Sequence, residues 1–97
     1  MVSIEELIKQ IKSYNSNADF DLIKKSYNYG FNAHKGQYRA SGEIYFTHPV
    51  EVAKILIDLK LDESTIKTAL LHDTIEDTSR SLKQLESAFG KEVSQLV

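Results

Sequence analysis

A chain of 97 residues is long enough for one domain, or part of one, with a modest core. Its 41% hydrophobic and 27% charged residues fit a soluble globular protein, and a net charge of -2 argues against bulk electrostatic binding to nucleic acid or an anionic membrane. The absence of cysteine excludes a disulfide scaffold, a thiolate metal site and a cysteine nucleophile; no apolar run is long enough to span a membrane, no signal peptide is visible, and a cytoplasmic location follows.

Ser3-Ile4-Glu5-Glu6 reads as a capping box. Ile4, Leu7, Ile8 and Ile11 follow at helical spacing and predict a first helix to about Tyr14. Asn15-Ser16-Asn17 is a loop by composition. A second helix is predicted from about Asp19 to Lys35, weakened by Gly30 and stopped by Gly36. Gln37 to Thr47 is a loop too long for a tight turn and too aromatic for a floppy linker, a length and character often associated with function. Tyr45-Phe46 could be extended, but no sheet is expected. His48-Pro49 opens a third helix with Pro49 at its first position, buried over a wide face through Val50, Val52, Ala53, Leu56, Ile57 and Leu59. Asp62 caps a fourth helix. Ser81-Leu82-Lys83-Gln84 is a second capping box, opening a helix that Gly90 closes. Val93, Leu96 and Val97 begin a further apolar face that runs off the end, as in a domain truncated or completed by a partner chain. The fold class is all-α, a bundle of five to six short helices incomplete at the C-terminus.

The chemistry gathers in Leu70-Leu71-His72-Asp73-Thr74-Ile75-Glu76-Asp77. On a helix, His72, Asp73, Glu76 and Asp77 fall within an arc of about 140°, the arc that Ile66, Ala69 and Leu70 occupy just upstream. An apolar stripe thus runs into a histidine and three carboxylates with no basic residue beside them. Buried carboxylates are costly unless paired or metal-bound, so a divalent cation is the simplest account of the cluster. Consecutive helices joined by the short link Lys60-Leu61 should pack antiparallel and bring His48 to His72-Asp73. Two imidazoles and a carboxylate with open positions describe a hydrolytic metal centre, for which zinc, iron and manganese all remain candidates. Glu76 and Asp77, one turn further on, either orient and deprotonate a water or support the histidines. Arg39, the fixed cation of the central loop, can stack on a purine or fork onto a phosphate, unless it is simply solvated. His34, near a helix C-terminus, reads as structural rather than as a ligand.

Ala33-His34-Lys35-Gly36-Gln37-Tyr38-Arg39-Ala40-Ser41-Gly42-Glu43, then Tyr45 and His48-Pro49, then Leu70 to Thr78, resemble the hydrolase domain of the RelA/SpoT homologue family, HD-domain proteins of the stringent response. Phe89-Gly90 and the segment from Val93 to Val97 fit the same pattern, so the resemblance covers about residues 20 to 97. An HD pair alone is weak evidence; the loop, the His-Pro and the spacing from HD to ED together are specific. The resemblance implies an all-α domain that uses Mn²⁺ to remove pyrophosphate from the 3′ position of ppGpp or pppGpp, a small-molecule nucleotide rather than nucleic acid. It implies metal ligation by His48, His72 and Asp73, a hydrolytic acidic pair in Glu76 and Asp77, stacking of Arg39 on the guanine, and nucleotide contact by the loop holding Ser41. It also implies a fourth metal ligand, an aspartate, on a helix beyond Val97. Two positions depart from the pattern: Ala40 stands where many members have lysine, and Ile44 where proline is usual. Two rival readings remain at this point, an inactive or partner-completed remnant and an HD phosphohydrolase acting on another nucleotide.

Overall fold

The computed structural model describes residues 1–72 and is helical: α1 (Ile4–Lys12), α2 (Phe20–Ala33), α3 (Thr47–Asp58) and α4 (Glu63–Leu71). No strand occurs among the described residues, whose single antiparallel bridge joins Tyr38 to Ile44. Asp73, Glu76, Asp77, the predicted helix after Ser81 and the terminal apolar pattern all lie outside the described residues.

Local signals explain where the first helices begin. The Ser3 side chain accepts from the Glu6 backbone N–H at 3.3 Å, and the Asp19 carboxylate accepts from the Leu22 N–H at 3.0 Å. Each thereby satisfies an N–H that has no partner within the helix. Asp62 does take the N-cap position of α4, yet its carboxylate accepts the Thr65 hydroxyl at 2.5 Å instead of a backbone N–H. The third helix starts at Thr47, two residues ahead of Pro49. This costs nothing, because a proline in the first turn lacks only an N–H that would have no helical partner.

α3 reverses into α4 through a turn that the sequence does not advertise. Lys60 adopts a left-handed φ of 59°, Lys60 N–H donates to Ile57 O at 2.9 Å, and Leu61 N–H donates to Leu56 O at 3.1 Å. These two bonds form a Schellman motif, with lysine where glycine is usual. The reversal lays α4 against α3, and α4 also packs on α2 while α1 leans on α2 and α3. Leu7, Ile11, Ile23, Tyr27, Val50, Ile57, Ile66 and Leu70 fill the space between them. At one end of the bundle the Tyr14 hydroxyl donates to Leu61 O at 2.8 Å, and Asp19 N–H donates to the Glu63 carboxylate at 3.2 Å. Glu63 also faces the buried Lys67 ammonium at 3.6 Å, one turn along α4.

The other end is closed by Phe46. Its ring is buried and meets Tyr27 edge-on at 5.2 Å and Phe31 at 6.1 Å. Gly30 makes that closure possible. A Cβ built on it would stand 2.5 Å from Phe46 Cε1 and 2.7 Å from the Leu70 carbonyl oxygen. The glycine that weakens α2 by propensity is thus the point where α2, the entry to α3 and the end of α4 touch.

Candidate active site

That contact settles which ends of the helices lie together. Phe46 precedes His48 by two residues, and Leu70 precedes His72 by two. Both meet Gly30, so the start of α3 and the end of α4 share one end of the bundle, as the antiparallel reading required. His48 sits half-buried in the first turn of α3, and its ring lies 6.4 Å from that of Tyr45. His72 takes the C-cap of α4.

His72 departs from the sequence reading in one respect. Ile66, Ala69 and Leu70 are buried as the periodicity indicates, whereas His72 is exposed. Its place at the end of α4 carries it past the packed part of the bundle. The cost of burial therefore does not by itself require a cation at His72. A different observation suits one: His72 Nδ1 lies 3.2 Å from the Ala69 carbonyl oxygen. A carbonyl only accepts, so Nδ1 donates to it, the kind of bond that commonly orients a metal-binding histidine. Asp73, the carboxylate member of the set, lies outside the described residues, and among those described no three histidine, aspartate or glutamate side chains group as a metal site.

The loop ahead of α3 is more ordered than its composition suggests. Arg39 N–H donates to Glu43 O at 2.8 Å, Gly42 N–H donates to Arg39 O at 2.9 Å, and Gly42 takes a φ of +92°. Together with the Tyr38–Ile44 bridge, this makes a miniature hairpin whose three-residue tip is Ala40-Ser41-Gly42. Ser41 is exposed at that tip, its hydroxyl 3.3 Å from the Glu43 carboxylate. Arg39 directly precedes the tip, paired with Glu43. Its guanidinium reaches the Glu51 carboxylate on α3 at 3.4 Å. Glu51 is one turn beyond His48 and on the same helix face, so Arg39 is tied to the face that carries His48.

His34 is structural, as expected. It is 2% exposed, its ring stacks on Tyr45 at 4.8 Å and 29°, and its Nδ1 donates to the Gln37 side-chain oxygen at 2.9 Å. The hairpin is thereby anchored to the end of α2. Sequence reasoning did not weigh Glu51; its place three residues after His48 was the available signal.

An all-α bundle with a histidine at each of two meeting helix ends is the architecture of an HD domain. The chain belongs to the HD-domain family, whose model matches residues 26–97, and within it to the RelA/SpoT type. It is 47% identical over 92 residues to the GTP pyrophosphokinase rsh of Brucella melitensis, covering 95% of this chain and 12% of the relative. It is 53% identical over 87 residues to a GTP pyrophosphokinase of Myxococcus xanthus, covering 90% and 12%. The bifunctional (p)ppGpp synthase/hydrolase SpoT of Escherichia coli is 44% identical over 97 residues, 100% of this chain and 14% of that protein. The chain thus spans about one eighth of the length of the curated relatives it matches.

Proposed function

We propose that this chain is the N-terminal part of a cytoplasmic (p)ppGpp 3′-pyrophosphohydrolase domain. In the reaction, water cleaves the ester bond between the nucleotide's 3′ oxygen and its diphosphate, giving GDP or GTP and pyrophosphate. The reading is supported by the meeting of the α3 entry and the α4 end, with a histidine at each and an arginine-bearing hairpin tied alongside. It is also supported by relatives named for (p)ppGpp hydrolysis, SpoT and a second Escherichia coli protein named guanosine-3′,5′-bis(diphosphate) 3′-pyrophosphohydrolase, at 44% identity.

His48, His72 and Asp73 would hold the metal, which we assign as Mn²⁺. When bound it supplies a Lewis acid that activates water and neutralises charge developing on the phosphoryl oxygens. Two imidazoles with a carboxylate suit zinc, iron or manganese alike, and the choice of Mn²⁺ rests on the resemblance to the RelA/SpoT family. The Ala69 carbonyl holds the His72 ring by its Nδ1 proton. Glu76 and Asp77 orient the attacking water and take its proton. Arg39 lies against the guanine, and Ser41 contacts the nucleotide from the hairpin tip.

The test is pyrophosphate release from ppGpp by this chain and by a longer polypeptide carrying it, with Mn²⁺ and with a chelator. Release should require the metal, and Asp77→Ala should lower the rate at least about 100-fold, the scale of a lost general base, with the circular dichroism spectrum unchanged. Intact ppGpp after incubation with the folded, Mn²⁺-loaded longer polypeptide would end this reading.

A further inference from the structure

Arg39 has two ways to meet a nucleotide. It can present its flat face to a base, or its forked edge to a phosphate. The structure bears on which is open. Arg39 Nη1 lies 3.4 Å from Glu51 Oε2, so an edge of the guanidinium already faces a carboxylate. Glu51 also lines an open hollow of about 400 Å³ together with Glu6 and Glu43. The Glu51 carboxylate disfavours a phosphate on the edge of Arg39 that it faces. The hairpin holds the Arg39 backbone through its bonds to Glu43 and Gly42, so the side chain is aimed from a fixed base. Open to a ligand are the planar face and the edge turned away from Glu51.

We propose that Glu51 is a positioning and specificity-determining residue: by occupying one donor edge of Arg39 it biases that arginine toward stacking on the base and away from the phosphates. The proposal rests on the assignment of Arg39 to the nucleotide. Phosphate recognition then falls mainly to the metal side of the site, and the distance between base and reacting diphosphate is set along one turn of α3, from Glu51 back to His48.

The probes are guanosine, which has a base and no phosphate, and inorganic pyrophosphate, which has the reverse, titrated into the full chain by NMR. Glu51→Ala should weaken guanosine binding and strengthen pyrophosphate binding, each about threefold, the scale of an exposed ion pair. Glu51→Gln, which keeps an acceptor without the charge, should fall between. Both shifts should vanish when Arg39→Ala is also present. Equal shifts with and without Arg39, or no change in the ratio of the two affinities, would overturn the role of Glu51. Guanosine binding that Arg39→Ala leaves unchanged would instead overturn the assignment of Arg39.

Discussion

Gly30 carries more of this fold than its propensity suggests. In an isolated helix, alanine there would gain about 1 kcal/mol. Here the added methyl would press on the buried Phe46 ring and on the Leu70 carbonyl, which belongs to the backbone of α4 and cannot rotate away. Overpacking of this kind costs about 1–3 kcal/mol, more than the propensity returns over most of that range. Gly30→Ala should therefore lower the midpoint of urea unfolding, and an increase would show that α4 can shift freely. The same clash would part the helix ends that carry His48 and His72. No pattern in the sequence separates such a glycine from an accidental helix breaker, because its role depends on what two distant segments place against it.

At the scale of elements, the turn between α3 and α4 decides how the histidines are presented. Lys60 holds a left-handed conformation that costs a side-chain-bearing residue about 1–2 kcal/mol. Lys60→Gly relieves that strain and returns part of the gain as unfolded-chain entropy, so the protein should become about 0.5–1 kcal/mol more stable. A fall in melting temperature would mean that the lysine side chain contributes more than its backbone costs. The central loop teaches the complementary lesson. Its composition suggested irregular structure, yet Gly42 at positive φ closes a hairpin and His34 clamps it from α2. Ser41-Gly42 was the visible hint; the clamp depends on a ring stack that joins residues 34 and 45.

Across the whole molecule, two tyrosines join its parts through hydroxyl bonds to distant carbonyls. Tyr27 donates to Val2 O at 2.9 Å, and Tyr14 to Leu61 O at 2.8 Å. Burial raises the Tyr27 hydroxyl pKa above 10.0, and the Glu5 carboxylate adds to the rise; burial and then Asp62 do the same for Tyr14. The folded state therefore holds these protons more tightly than the unfolded chain does. Their contribution is complete below pH 10 and is lost as pH rises through the folded values. Stability should fall above pH 10, and Tyr27→Phe should make that decline shallower while costing about 1 kcal/mol at neutral pH for the lost bond. An unchanged alkaline slope in Tyr27→Phe would remove Tyr27 from this account.

Periodicity and capping residues by themselves determined the all-α class and the starts of the first two helices. These rest on interactions within a few residues, and such interactions are written in order along the chain. The tertiary structure alone decided that Gly30 is a contact point, that His72 is exposed at the end of α4, that the central loop is a clamped hairpin, and that Arg39 meets Glu51. Each of these joins segments far apart in sequence or depends on where a packed stripe ends, and packing geometry has no one-dimensional signature.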